Sequence, residues 1–170
     1  MTNPLRVDLS YPDPLTFEPD VRSARIISPA YSGLRGELTA TLQYTFNTFY
    51  LEEEKQTQDL FRSIALTEME HFELLGKAIK SLGIEPVITQ MPPFKFNPYS
   101  TSALNYSTNI HKVLLDAITG ELNAIAEYEK MLNQLENEKV SALITRIILD
   151  ERLHVVELKE QLEKISKHTY

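Results

Sequence analysis

The sequence contains no cysteine among its 170 residues and has only 5 glycines. The lack of thiols excludes disulfide bonds, thiol catalysis, cysteine-ligated zinc and a rubredoxin-type iron site. Scarce glycine favours long helices. The 17 basic residues are outnumbered by 24 acidic ones, which gives a net charge of −7. We therefore expect neither a nucleic-acid partner nor an anionic-membrane partner.

Long apolar runs are also missing. No run approaches the length of a transmembrane helix, and the start MTNPLRVDLSYPDP lacks the continuous apolar segment of a signal peptide. We therefore expect a cytoplasmic protein. The length of 170 residues, of which 42% are hydrophobic, predicts one globular domain with a sizeable core.

Five prolines distinguish the first part of the chain from the rest. They are Pro4, Pro12, Pro14, Pro19 and Pro29. Because proline fixes φ and removes a hydrogen-bond donor, residues 1–29 are predicted to form an extended arm. The apolar residues between the prolines suggest that this arm lies along the domain or along a partner subunit.

Four segments after the arm have apolar residues at alternating spacings of three and four, which is typical of amphipathic helices. The predicted helices are Ala30–Glu54, Thr57–Leu82, Thr108–Glu136 and Glu138–Lys164. Gly83 is the expected C-terminal cap of the second helix. Short connections predict two antiparallel hairpins, so residues 30–167 should form an all-α four-helix bundle.

A long connection at about residues 84–106 joins the two hairpins and contains four prolines. A helix of about 25 residues is about 37 Å long, and about a dozen extended residues span that distance. The connection can therefore cross the whole bundle and start the third helix parallel to the second.

Two Glu-x-x-His pairs lie in the apolar periodic segments. Glu68 and His71 form the first pair, and Glu151 and His154 form the second. Residues three apart share one face of a helix, and here that face also carries the apolar residues of the predicted core. The pattern suggests a metal site inside the bundle.

An internal repeat adds two more acidic residues to this pattern. GELTATLQY at residues 36–44 is similar to GELNAIAEY at residues 120–128. Each copy carries a glutamate, Glu37 or Glu121, seven residues before a tyrosine, Tyr44 or Tyr128. These glutamates precede the glutamates of the two pairs by 31 and 30 residues. Each half of the chain therefore offers the same three candidate ligands.

Burying these carboxylates is costly unless they have partners, and the same helix faces carry no lysine or arginine. Four glutamates would balance the charge of two divalent ions, whereas neutral imidazoles add no charge. Without metal, the clustered carboxylates should protonate or repel one another. The alternative is a plain four-helix bundle whose glutamates reach solvent.

Across about residues 30–165 the chain resembles the ferritin-like di-metal carboxylate proteins. In that superfamily one Glu from each of two helices joins a Glu-x-x-His motif from each of the other two. The resemblance implies two divalent ions, with bridging carboxylates at Glu68 and Glu151. The implied ligands are Glu37, Glu68, His71, Glu121, Glu151 and His154.

The resemblance also implies residues that support the ligands. In ferritin-like proteins an aspartate at the position of Asp150 often orients the histidine of the opposite hairpin, here His71. The equivalent position in the first half is Thr67. Tyr44 and Tyr128 could donate hydrogen bonds to ligand carboxylates across the core, or could be ordinary buried tyrosines.

Haem is a further possibility that the resemblance raises. Met69 occupies the position at which bacterioferritin-like proteins carry a haem-ligating methionine. We expect Met69 instead to pack on the back of its helix, and we expect no haem.

Within the superfamily, the ligand separations and the segment GELTATLQY look most like manganese catalases and their shorter spore-coat relatives. The chain also resembles small rubrerythrin-like proteins, although it has Ala124 where rubrerythrins carry a further glutamate. Rubrerythrins also usually have a cysteine-ligated iron domain, which this chain lacks. Oxygen and nitrogen ligands suit both iron and manganese.

The resemblance implies a catalase-like or peroxidase-like oxidoreductase that acts on hydrogen peroxide or dioxygen, with a possible external electron donor. The alternatives are iron oxidation and storage, or a structural spore-coat-type protein that retains the metal site. The extended arm and the aromatic connection favour a homo-oligomer that is at least a dimer.

Overall fold

Five α-helices account for the apolar periodicity of the chain. The computed structural model describes residues 2–168. The helices are α1 Val21–Ser32, α2 Glu37–Asn47, α3 Lys55–Ser81, α4 Ile110–Leu132 and α5 Glu138–His168. Short 3₁₀ turns add Pro14–Thr16, Thr48–Tyr50 and Thr101–Ala103. Helices α2 to α5 correspond to the four predicted helices, and the predicted all-α bundle is confirmed.

The bundle consists of two hairpins. Helix α2 packs against α3, and α4 packs against α5. Gly83 follows α3 with a φ of 96°, a value that glycine adopts without strain, as expected for the predicted cap. The connection between the hairpins covers residues 82–109 and contains the 3₁₀ turn Thr101–Ala103 and an isolated antiparallel β-bridge between Thr89 and Pro98.

The prediction of an extended arm is wrong for residues 21–29, because these residues belong to α1. The Asp20 side chain caps this helix by accepting a hydrogen bond from the Ser23 backbone N–H at 3.0 Å. Ala24, Ile27 and other small or apolar residues bury one face of the helix. Pro29 lies close to the C-terminal end of α1, where its missing N–H removes only one hydrogen bond.

The first predicted helix, Ala30–Glu54, is also wrong at both ends. Ala30 belongs to α1, and a turn that contains Gly33 and Gly36 separates α1 from α2. A Cβ atom at Gly36 would lie 2.4 Å from the Ala30 carbonyl oxygen, so the chain can turn this tightly only with glycine there. The α-helix then ends at Asn47 instead of continuing to Glu54.

The arm is present as far as residue 20. Between residues 2 and 20 its only helical segment is the 3₁₀ turn Pro14–Thr16. The Leu5 backbone N–H donates to the Ser63 carbonyl of α3 at 3.1 Å, and Arg146 of α5 donates to the carbonyl oxygens of Val7 and Leu9. The arm therefore lies along its own domain, over α3 and α5.

Two apolar clusters fill the bundle on either side of a polar layer. One contains buried Ile27, Leu75 and Ile147, and the other contains buried Phe61 and Leu158. The six predicted ligands occupy the layer between them. None of the described helices combines the length and the hydropathy needed to cross a membrane.

Candidate metal centre

The structure brings the six predicted ligand residues together in the middle of the bundle. All of them are buried, each with at most 4% of its surface exposed. Helices α2 and α4 each contribute one glutamate, Glu37 or Glu121, which we call the terminal glutamates. Helices α3 and α5 contribute the Glu-x-x-His pairs, whose glutamates, Glu68 and Glu151, we call the shared glutamates.

Two overlapping groups of ligand atoms form within this layer. In each group the candidate ligand atoms lie within 4.8 Å of one another. Both groups contain the shared glutamates, and each adds one terminal glutamate and one histidine. Such an overlap is what two neighbouring ions with two bridging carboxylates would require. Whether these residues bind metal stays a prediction.

Both histidines point the same ring atom at the carboxylates. The Nδ1 atom of His71 lies 3.1 Å from Glu151 and 3.7 Å from both Glu37 and Glu68. The Nδ1 atom of His154 lies 3.1 Å from Glu68 Oε1. The Nε2 atoms point away from the cluster, towards α5 and the arm. The Nδ1 atoms are therefore the candidate ligand atoms.

Several of these ligand atoms have no hydrogen-bond partner within the described part of the chain. They are Glu68 Oε1, both carboxylate oxygens of Glu151 and the Nδ1 atoms of His71 and His154. Leaving buried polar atoms unpaired is costly, and a group of them that faces one point is unusual in a native core. Two divalent cations would give all of these atoms partners, so the residues present fit such ions.

The four glutamates form two pairs whose pKa values shift in opposite directions. Burial, with the nearby Glu68 carboxylate, raises the pKa of Glu37 well above its ordinary value. Burial also raises the pKa of Glu121, again with repulsion from the shared glutamates. For Glu151, burial alone would raise the pKa, but contacts with Glu121 and both histidines outweigh it and hold the pKa well below its ordinary range. The pKa of Glu68 is lowered in the same way.

The acidic surroundings also shift the pKa of both histidines. Burial alone would lower the pKa of His71, but its acidic neighbours, led by Asp150, outweigh burial and raise the pKa well above its ordinary value. The carboxyl groups around His154 raise its pKa in the same way. The raised pKa values of the terminal glutamates and of both histidines favour their protonated forms when no cation is bound. Protons occupy the role that we expect cations to take.

Two tyrosines connect the hairpins through the terminal glutamates. The Tyr44 hydroxyl donates to Glu121, and the Tyr128 hydroxyl donates to Glu37. Burial, followed by the repulsion of these carboxylates, raises the pKa of both tyrosines well above the ordinary value, so they remain protonated donors. Each hairpin therefore orients a candidate ligand of the other.

Asp150 contacts the outer side of His71. Its Oδ2 atom lies 3.1 Å from His71 Nε2 and 2.8 Å from the Nη1 atom of Arg146. Burial alone would raise the pKa of Asp150, but His71 and Arg146 lower it to about 2. Asp150 is therefore an ionised acceptor that can orient the His71 ring.

Sequence reasoning missed three participants in this outer layer. Arg146 lies four residues before Asp150, so the helical spacing of the two could have indicated their ion pair. The Tyr11 hydroxyl donates to Asp150 at 2.6 Å, and the Leu5 carbonyl lies 2.9 Å from His154 Nε2. Both residues lie in the arm, which has no periodicity that could have predicted these contacts. Met69 also differs from expectation, because 51% of it is exposed instead of packed.

A cleft between α2 and α4 leads from the surface to the ligand cluster. Its volume is about 680 Å³, and all four glutamates and both hydrogen-bonding tyrosines contribute to its wall. Apolar side chains from both hairpins and from the connection line the rest, among them Ala40, Met91, Phe94, Val113 and Ala117. A small molecule could therefore reach the cluster on the side opposite the arm.

The bundle thus combines two Glu-x-x-His pairs with two facing glutamates. A sequence profile of the rubrerythrin family matches residues 31–162. The chain belongs to the rubrerythrin family. Another similar sequence is a probable manganese catalase from Clostridium acetobutylicum. It is 25% identical over 161 residues, which cover 84% of this chain and 71% of that protein.

Solved structures share the fold of this rubrerythrin-family chain. The wild-type manganese catalase KatB from Anabaena gives a TM-score of 0.81 at 22% identity, covering 98% of this chain and 80% of that one. A dodecameric thioferritin, the bacterioferritin-related protein from Bacteroides fragilis, gives 0.71 at 22% identity, covering 91% and 93%. At these identities the likeness concerns the fold alone.

Proposed function

We propose that this protein binds two divalent ions, iron or manganese, and uses them to decompose hydrogen peroxide. The observation that carries the proposal is the set of buried, unpaired ligand atoms that converge between the hairpins. Membership of the rubrerythrin family and the likeness in sequence to a probable manganese catalase support the same conclusion.

Glu37, Glu68, His71, Glu121, Glu151 and His154 would hold the two ions, which when bound would supply the two-electron redox chemistry that peroxide decomposition needs. The overall change is then two molecules of peroxide to two of water and one of dioxygen. This balance needs no external donor. A peroxidase-like reaction is an alternative form of the proposal. In it an external electron donor would supply the electrons that a second peroxide supplies in the catalase-like reaction, and the oxidant would be peroxide or dioxygen.

The residues of the chain provide the rigid surroundings that such a reaction needs. Tyr44 and Tyr128 fix the terminal glutamates, and Asp150 fixes His71. Apolar side chains line much of the cleft, and its volume is large enough to admit peroxide. Because raised pKa values favour protons on the terminal glutamates and the histidines, the release of these protons can offset the charge of incoming ions.

The test is to load the purified protein with manganese or with iron and to measure dioxygen released from hydrogen peroxide. Glu68→Gln should abolish both metal uptake and turnover. Glu73→Gln is the matched control, because Glu73 lies on the same helix but is exposed, with 65% of its side chain accessible. Metal uptake without peroxide consumption, with or without a donor, would contradict the proposed activity.

Iron oxidation and storage is a second candidate. The same buried carboxylates and imidazoles could bind iron for storage, and the fold is similar to that of a protein described as a dodecameric thioferritin. Storage requires a hollow oligomer that retains many ions per chain. Native mass and iron content after loading therefore distinguish storage from peroxide decomposition. A protein that holds its ions but neither turns over nor stores iron would favour the structural, spore-coat-type role.

We also propose that the protein is a homo-oligomer, at least a dimer. Aromatic and apolar side chains in the connection between the hairpins are exposed, including Phe94 at 61% and Phe96 at 92%. Exposed apolar residues that cluster in one segment commonly mark an interface. Light scattering should give a mass of at least two chains, whereas a monomeric mass would contradict this proposal.

A further inference from the structure

The arm reaches the metal centre from the side opposite the cleft. Arg146 anchors it there, with Nη2 2.7 Å from the Val7 carbonyl oxygen and Nε 3.0 Å from that of Leu9. The guanidinium group also lies 4.3 Å from the centre of the Tyr11 ring. Because Arg146 is only 5% exposed, this anchor is an internal contact and not a surface one.

The arm holds His154 through a backbone carbonyl. The Leu5 oxygen lies 2.9 Å from His154 Nε2 and accepts a hydrogen bond from Thr67 Oγ1, also at 2.9 Å. Thr67 occupies the position that corresponds to Asp150 in the other half. The first half thus lacks a carboxylate at this position, and the arm supplies a neutral acceptor in its place.

On the His71 side the arm donates hydrogen bonds to Asp150, which in turn contacts the histidine. The Val7 N–H donates to Asp150 Oδ1 at 2.7 Å, and the Tyr11 hydroxyl donates to Asp150 Oδ2 at 2.6 Å. These donors, together with Arg146, fix the carboxylate against His71 Nε2. One short stretch of the arm therefore determines the outer hydrogen bonds of both histidines, with different chemistry on the two sides.

We infer that residues 5–11 are part of the metal centre, and that they make its two halves unequal by giving His154 a neutral carbonyl partner where His71 has a carboxylate. A carboxylate partner makes an imidazole a more basic ligand than a carbonyl does. The ion on the His71 side should therefore bind more tightly than the ion on the His154 side. Thr67 and Tyr11 act as positioning residues. The inference rests on the proposed metal site but not on the proposed reaction.

The test is a titration of the metal-free full-length protein with manganese(II), followed by calorimetry and by electron paramagnetic resonance. Wild-type protein should bind two ions in two distinguishable steps. Thr67→Val keeps the shape and removes the donor to Leu5, so it should weaken the second, looser step by about tenfold or more and leave the first unchanged. Thr67→Ser should restore it. Tyr11→Phe should instead weaken the first, tighter step.

Thr119→Val is the matched control, because the exposed Thr119 hydroxyl donates to the Leu115 carbonyl one turn earlier in α4 and to no other residue in the described part of the chain. Equal affinities for both ions in the wild type, or Thr67→Val that leaves both steps unchanged or weakens both equally, would overturn the inference alone. A wild-type protein that takes up no manganese would overturn the proposed metal site as well. Thermal melting of each variant checks that it is folded.

Discussion

The two hairpins are alike on their inner faces and different on their outer faces. Each presents a glutamate, a tyrosine and a Glu-x-x-His pair at corresponding positions, and each tyrosine binds the glutamate of the other hairpin. Outside this layer the likeness ends. The first hairpin has α1 packed against it and Thr67 under the arm, whereas the second carries Asp150 and Arg146.

This contrast separates two kinds of constraint. The inner positions must satisfy a cluster in which each carboxylate and imidazole depends on the others, so both halves keep the same residues. The outer positions need only provide some acceptor or donor for a ring nitrogen or a carboxylate. A carbonyl from the arm and a side-chain carboxylate both meet that need, although with different strength.

The largest expected effect tests the likeness of the inner faces. Glu68→Gln and Glu151→Gln should each abolish the uptake of both ions, because each removes a carboxylate that belongs to both groups of ligand atoms. Glu37→Gln and Glu121→Gln should each spare one ion. Metal per chain after gel filtration, measured by mass spectrometry, gives the answer.

The comparison of the halves supplies the control for that experiment. Corresponding variants in the two hairpins should behave alike if the pseudo-symmetry extends to function. Loss of both ions in Glu37→Gln but of one in Glu121→Gln would show that the first hairpin controls loading. Equal losses in all four variants would remove the distinction between shared and terminal glutamates.

Acidity should weaken metal loading strongly in both halves. Each half holds one glutamate and one histidine with a raised pKa. The raised pKa values favour protons on these groups in the metal-free protein, and an incoming ion would have to displace those protons. Affinity should therefore fall as pH falls, by about tenfold per pH unit for each proton displaced. Manganese titrations between about pH 8 and about pH 6, with proton release measured in weak buffer, test this. Affinity independent of pH would show that the groups are already deprotonated.

Much of the inner layer could be predicted from the sequence, because helical spacing converts directly into position. Glu68 and His71 lie three residues apart and therefore share one helix face. In an antiparallel hairpin, few positions remain for Glu37 on the preceding helix other than opposite that face. The contact of Asp150 with His71 required the resemblance to ferritin-like proteins as well. The structure contains the contact at 3.1 Å.

The outer layer could not be predicted, since it depends on segments without a period. Pro29 predicts an extended segment where α1 forms, although Asp20 is a favourable N-cap residue and Ala24 and Ile27 lie three residues apart, as on one face of a helix. The role of the Leu5 carbonyl leaves no trace in residue type, because every residue has a carbonyl oxygen. Only the path of the arm reveals it.

A smaller effect should come from the tyrosines. Tyr44→Phe and Tyr128→Phe each leave a terminal glutamate without its donor, and the loss of an outer hydrogen bond typically lowers metal affinity about tenfold. Because the two contacts are equivalent, we expect equal losses in calorimetric titrations with manganese. Tyr50→Phe is the control, since Tyr50 is 56% exposed. Unequal losses would reveal that the inner faces also differ in function, and unchanged affinity in both would remove the tyrosines from the centre.

The smallest expected effects are on stability. Alanine at the two repeated glycines, Gly36 and Gly120, should change the free energy of unfolding in opposite directions. A Cβ at Gly36 would lie 2.4 Å from the Ala30 carbonyl, so Gly36→Ala should lower the free energy of unfolding by about 1–3 kcal/mol. A Cβ at Gly120 meets nothing within 4 Å, and Gly120→Ala inside α4 should raise it by about 0.5–1 kcal/mol. Denaturant unfolding of the metal-free protein measures both. Opposite signs at repeat-equivalent positions would mean that only the first hairpin requires its glycine, because only there does α1 approach the turn. Two changes of the same sign would contradict that explanation.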